Sequence, residues 1–185
     1  MSYDPQTHHR RSIRLKNYDY AQIGAYFVTI VVNERLLLLE NPAIAAMVQR
    51  WWDELPHKFP TVDTDAFVIM PNHIHGIIVI GNTVGADLRV GPRAGEHTGS
   101  GEHIGSPIRK PTLGQIVQWF KTMTTNEYIR GVKGQGWPPF NRHFWQRNYY
   151  EHVIRNETDL DRIRRYIAEN PIRWEQDTEH PNRKK

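Results

Sequence analysis

The stretch DAFVIMPNHIHGIIVI, Asp65 to Ile80, limits the fold of this chain more than any other. It holds two short runs rich in β-branched and apolar residues, divided at Met70-Pro71-Asn72, where Pro and Asn punctuate the chain as turn residues do. The pattern predicts a β-hairpin of two largely buried strands. Side chains alternate faces along a strand, so His73 and His75 point one way while Ile74 points the other. A lone buried histidine is usually satisfied by a backbone partner. Two imidazoles side by side on an apolar face repel when protonated and need separate partners when neutral. A shared metal ion satisfies both, and two histidines leave room for a third ligand and for the open positions of a catalytic site.

The rest of the chain reads as alternating strands and helices. AYFVTIVV, Ala25 to Val32, is a buried strand. NPAIAAMVQRWWDELP is a helix with Asn41 as N-cap, Pro42 at its first position and Ile44, Met47, Val48, Trp51 and Leu55 on its buried face. LGQIVQWFKTMTTNEYIR puts Leu113, Ile116, Val117, Phe120 and Met123 on one stripe, with Gln118 and Lys121 outward. FWQRNYYEHVI is a further strand, and NETDLDRIRRYIAEN a last helix, capped by Asn156 and stopped by Pro171. The order strand, helix, strand, strand, helix, strand, helix predicts an α+β fold, a mostly antiparallel sheet with helices packed on it, compatible with a ferredoxin-like or palm-like core. At 185 residues the chain suits a single domain, 1–185. A Gly-rich stretch at 81–111, with seven of the 13 glycines, reads as a flexible loop. Its tandem hexapeptides GEHTGS and GEHIGS carry His97 and His103, but a mobile polar repeat pre-organises no metal site.

There is no cysteine, which excludes disulfides and thiolate ligands and leaves His, Asp, Glu, Asn and Gln to hold a metal. No apolar h-region opens the chain and no stretch is apolar for long enough to span a bilayer, so a cytoplasmic protein without membrane contact is expected. The formal charge of +4 is modest, and its placement matters more. Arg10, Arg11 and Arg14 stand together without an acid, and Arg162, Arg164 and Arg165 share one helical turn. Such groups suit phosphate contacts, as does Lys121, although each also fits a plain solvated face. Trp145, Tyr149 and Tyr150 are of the type that stacks unpaired bases, with core packing the alternative for Trp145. His152 reads as a phosphate contact or a supporting group rather than a ligand.

The third partner for the histidines has to come from elsewhere in the chain. In RRYIAENP, Tyr166 and Asn170 are four residues apart and share a helix face, on the border of the buried stripe Leu160, Ile163 and Ile167. From that border they face along the sheet towards the histidines. The plainer roles are an amphipathic tyrosine at the core edge and an asparagine that ends a helix before proline.

These residues resemble a known family. MPNHIHGIIVI is similar to the HUH (His-hydrophobe-His) motif of single-tyrosine transposases. FWQRNYYEHVIRNETDLDRIRRYIAENP closely resembles the C-terminal signature of their REP-associated branch, linked to repeated extragenic palindromes, and HRRSIRLKNYDYAQIGAYFVTI resembles that branch's N-terminal strand region. The resemblance implies an antiparallel sheet covered by helices, and a divalent metal, Mg²⁺ or Mn²⁺, on His73 and His75 with Asn170 third. It further implies Tyr166 as nucleophile and single-stranded or hairpin DNA as partner, cut and rejoined through a 5′-phosphotyrosine. Small relatives dimerise by exchanging the tyrosine helix, whereas the REP-associated branch acts as monomers, so a monomer is expected without excluding a dimer. Two other functions fit the same residues: a metal-dependent hydrolase using the His pair, and a non-catalytic hairpin-binding protein.

Overall fold

A computed structural model describes residues 18–81 and 110–181. Arg10, Arg11, Arg14, and most of the Gly-rich stretch with His97 and His103, lie outside the described residues. The elements run β1 (Gly24–Val31), α1 (Pro42–Asp53), the four-residue α2 (Leu55–Lys58), β2 (Val62–Met70), β3 (His73–Ile80), α3 (Leu113–Gly134), β4 (Tyr150–Ile154) and α4 (Glu157–Glu169), with a 3-10 stretch Asn170–Gln176 after it. The strands form one sheet in the order β2-β3-β1-β4, every neighbouring pair antiparallel. β3 thus lies between β1 and β2, and β1 is central, which is the ferredoxin-like arrangement of an α+β domain.

The helices form where side chains satisfy their first N–H groups. Asn41 accepts from Ala43 N ahead of Pro42, Thr112 and Gln115 form a capping box, and Asn156 accepts from Asp159 N. Two stripes differ from the sequence expectation. On α1 the buried tryptophan is Trp52, while half-buried Trp51 donates its indole N–H to Glu127. On α3 the stripe runs through Thr124 and Tyr128 instead of Met123, because buried Thr124 accepts from the Trp145 indole N–H at 2.8 Å. β4 is also shorter than expected. Phe144 and Trp145 leave the strand to fill the core.

Strand alternation gives the sheet two covered faces. Tyr26, Val28 and Ile30 of β1 and Ile74, Ile78 and Ile80 of β3 pack in the larger core with residues of α1 and α3. Ala25, Ile77 and Ile154 pack on the opposite face against Leu160, Ile163 and Ile167 of α4. His73 and His75 belong to this second face, beyond the apolar patch that α4 covers. Gly76 faces the other way. A Cβ there would lie 2.4 Å from Cζ2 of Trp52, whose ring stacks on Phe67 at 4.4 Å between centroids. The glycine after the histidines therefore lets the indole lie directly on the strand backbone.

A β-bulge sets which β2 residues face the histidines. Thr64 pairs with Ile78, but Phe67 pairs with Gly76, so β2 carries one extra residue in between. Past the bulge, Val68 and Met70 stand opposite His75 and His73. Asp65, at the bulge, accepts from Arg164 of α4 at 2.5, 3.1 and 3.2 Å. Those bonds hold its carboxyl below the usual carboxylate range against the opposing effect of burial. The pair fastens α4 to β2, and α4 carries Tyr166.

Candidate active site

His73 and His75 are 0% and 3% exposed. Their ring orientation follows from the residue before them. The Asn72 amide nitrogen donates to the carbonyls of Glu179, at 2.8 Å, and Arg35, at 3.3 Å, so Oδ1 is its acceptor end. Oδ1 lies 2.8 Å from His73 Nδ1, which must then be the protonated nitrogen. The lone pair of His73 is left on Nε2, 2.9 Å from Nε2 of His75, whose own Nδ1 is 2.8 Å from Thr29 Oγ1. Burial first, and then His75, push the pKa of His73 well below its ordinary value, so the imidazole is neutral at neutral pH. Two nitrogens aimed at one point at this separation need a proton or a cation between them. Neutral imidazoles with second-side partners are the form that binds metal.

A carboxylate completes the group. Asp177 Oδ2 is 3.9 Å from Nε2 of each histidine, and the three ligand atoms lie within 4.8 Å of one another, suited to one metal ion. Burial raises the pKa of Asp177, but His75, the Glu179 N–H and His73 outweigh it and keep the carboxyl ionised. The segment that brings it is tied down from both sides. Glu179 N donates to Asp177 Oδ1 at 2.6 Å, and Glu179 accepts from Arg35 Nε at 2.8 Å. Glu34 and Arg35 both have left-handed backbone, φ 57° and 53°. Each costs about 1 kcal/mol, a strain that persists where surrounding bonds fix the conformation.

Tyr166 is 44% exposed, and its hydroxyl is 3.4 Å from Nε2 of His75. Its ring meets Phe27 edge-on at 5.8 Å, while Phe27 stacks on His75 at 5.3 Å. Burial first, and then Asp177, raise the phenol above its ordinary pKa, with the Asn170 amide pulling the other way. Asn170 is buried at the end of α4, and its Oδ1 has no hydrogen-bond partner. A cavity of about 230 Å³ is lined by Tyr166, Asn170 and Asp177 among others. His73, His75, Tyr166 and Asn170, which the sequence singles out, thus meet at one place. Asp177 was not singled out, because it follows the proline that ends the helix, in WEQDTEHP, where nothing is periodic.

The other candidates are dispersed. Arg162 is bonded to Asp159 at 2.5 Å, and Arg165 is exposed with no ion pair among the described residues. Both line a groove of about 420 Å³ that also meets Tyr166. Lys121 lies on α3, across the sheet from the histidines, and donates to the carbonyls of Gln146, Arg147 and Asn148 at 2.9, 3.3 and 3.0 Å. That bracing holds the approach to β4. Trp145 and Tyr149 are buried, while Tyr150 is half-exposed. His152 bonds Asp159 at 2.8 Å. No helix among the described residues is long and apolar enough to cross a membrane.

No family model matches the chain. A Haemophilus influenzae protein whose description assigns it no function is 38% identical over 190 residues, 95% of each chain. Among solved structures, a REP-associated tyrosine transposase bound to a REP hairpin aligns with a TM-score of 0.56 and 19% identity over 89% of this chain and 74% of that one. At that identity the likeness is one of fold. A provisionally assigned transposase from Deinococcus radiodurans aligns over 85% of this chain and 96% of that one, at a TM-score of 0.46 and 13% identity, too low to argue from.

Proposed function

The chain belongs to one family with the Haemophilus influenzae protein and has the fold of a REP-associated tyrosine transposase, and from that premise we propose that it is a metal-dependent HUH transposase of the REP-associated branch. Its reaction is cleavage and rejoining of single-stranded DNA at or near hairpins, with Tyr166 as nucleophile. The observation that carries this reading is the Tyr166 hydroxyl 3.4 Å from the nitrogen of His75 at which the two imidazoles converge.

A phenol with a raised pKa is a weak nucleophile at neutral pH and needs help. A divalent cation on His73 and His75, with Asp177 or Asn170 completing the set, would polarise a phosphoryl oxygen and offset the charge developing on the phosphate. The donors fit: imidazole suits Mn²⁺, and a carboxylate or amide oxygen admits Mg²⁺ as well. Phe27 and the docked helix hold the phenol beside that position. The phenolic oxygen attacks phosphorus, its proton passes to solvent, and the P–O3′ bond breaks as the departing oxygen takes up a proton. The products are a 5′-phosphotyrosine and a free 3′-hydroxyl. The covalent link keeps the phosphodiester's energy, so a 3′-hydroxyl can reverse the step without ATP. α4 packs on its own sheet, which favours a monomer whose tyrosine serves its own histidines.

One observation favours a second reading. His73, His75 and Asp177 are the two-histidine, one-carboxylate set of hydrolytic metal sites. Incubating the protein with single-stranded hairpin oligonucleotides and Mn²⁺, followed by a denaturing gel, separates the two. The transposase reading expects a slow-migrating protein–DNA adduct that Tyr166→Phe and His73→Ala both abolish. Cleavage that survives Tyr166→Phe with no adduct would point to the hydrolase, and absence of both across varied hairpins with metal bound would refute both.

A further inference from the structure

The three arginines of DRIRRY have different surroundings. Arg162 is engaged by Asp159, Arg164 by Asp65 and Asp161, while Arg165 is exposed and makes no ion pair among the described residues. Arg165 lines the groove of about 420 Å³ beside Tyr166, together with Phe27 and His152. That volume is within the range of small-ligand sites and suits one nucleotide. Glu169 and Arg173 line both this groove and a second cavity at Tyr166, which adds Asp177 where the groove adds Arg162, Arg165 and His152. Of the two approaches to the phenol, the groove is the one an anionic chain would use.

His152 is the β4 residue that lines the groove, and Tyr150 lies two residues along the same strand, on the same face. Register places His152 opposite Phe27 and Tyr150 opposite Thr29, the residue whose hydroxyl meets His75. β4 is the edge of the sheet, so both side chains are reached from solvent. Tyr150 is 50% exposed and the His152 side chain 48%. Asp159, in the first turn of α4, bonds His152 Nε2 at 2.8 Å and so fixes the ring with Nδ1 free among the described residues. From Tyr150 to His75 is two strand spacings, about 10 Å. A nucleotide whose base lies on Tyr150 can therefore reach towards the histidines with its phosphate.

We propose that this sheet edge is a one-nucleotide subsite, in which Tyr150 stacks the base next to the scissile phosphate and His152 with Arg165 holds that nucleotide's outer phosphate. The inference rests on the transposase reading and adds where the strand lies: along β4 towards Tyr166. Asp159 acts only through His152, as a positioning residue.

The test uses the full chain and a hairpin oligonucleotide that forms the Tyr166 adduct. Binding is measured by fluorescence anisotropy without added metal, with single methylphosphonates or a single abasic position walked along the strand. Tyr150→Ala is expected to weaken binding about tenfold, with near-wild-type binding in Tyr150→Phe, which keeps the stacking face. One abasic position should cost the wild type the same factor and cost Tyr150→Ala nothing further. Neutralising one phosphate next to the cut should weaken the wild type, cost Arg165→Gln and His152→Gln less, and leave the double variant unaffected. Circular dichroism checks that each variant is folded. Losses spread evenly over all phosphates, or adduct formation and affinity unchanged in the variants, would overturn the subsite while leaving the transposase reading intact. Failure of that reading appears differently, as no Tyr166 adduct in the wild type.

Discussion

Asn72→Ala tests the claim that the residue before the histidines sets their chemistry. Asn72 is fully buried and its side chain makes three hydrogen bonds: it donates to the Glu179 and Arg35 carbonyls and accepts from His73 Nδ1. Removing it leaves three buried polar groups unpaired, and at about 1 kcal/mol each the metal-free protein should lose about 3 kcal/mol in urea unfolding. The second effect is on metal binding. Without Oδ1 nothing keeps the proton on Nδ1, so His73 samples the tautomer whose Nε2 cannot bind, and losing such a partner costs roughly 10–100-fold in affinity. The two effects separate when unfolding is repeated with Mn²⁺. At a concentration about 100 times the wild-type Kd, the wild type should gain about 2.7 kcal/mol, and a variant 10–100-fold weaker only about 1.4 to 0.4 kcal/mol. Equal gains in both proteins would refute the tautomer argument, whatever the metal-free stability does.

Gly76→Ala puts a methyl group into the Trp52 ring and should cost about 1–3 kcal/mol in urea unfolding, because the indole is held between that backbone and Phe67; a change below about 0.5 kcal/mol would mean the ring can move aside freely. Acid should destabilise the metal-free protein in two stages. His73 stays neutral in the fold while its unfolded counterpart takes a proton, so stability falls as pH drops below about 6.5. Asp65, held low chiefly by its bonds from Arg164, contributes fully above its unfolded pKa of 3.8, and that contribution disappears as pH falls through its lower folded value. Asp177 and Asp159 are also held low, so Asp65→Asn should shrink the second stage rather than remove it, and leave the first; thermal melts from pH 7 to pH 3 with an unchanged second stage would contradict the assignment.

Legibility followed periodicity. The hairpin and its same-face histidines were readable because period-two alternation places side chains without any tertiary knowledge. Tyr166 and Asn170 were readable at the border of a three-residue apolar stripe. The Trp52 choice, the bulge at Asp65 and the shortened β4 were not, since each depends on what packs across the sheet. The same holds for Asp177, which arrives through Glu179, Arg35 and Asn72 by an ion pair and side-chain to backbone bonds that leave no pattern in sequence. The site therefore has two oxygen candidates for its third ligand, and metal affinity set against metal-free stability tells them apart. Asn170 Oδ1 is buried without a partner, so Asn170→Ala removes an unsatisfied acceptor and should change metal-free stability little. Asp177→Ala breaks the bond from Glu179 N and leaves that buried N–H unpaired, so it should destabilise the metal-free protein by at least about 1 kcal/mol. If Asn170 is a ligand, its alanine variant should bind Mn²⁺ more weakly in calorimetric titration despite nearly unchanged metal-free stability. Unchanged affinity there, with a loss in Asp177→Ala that exceeds its destabilisation, would assign the third position to the carboxylate.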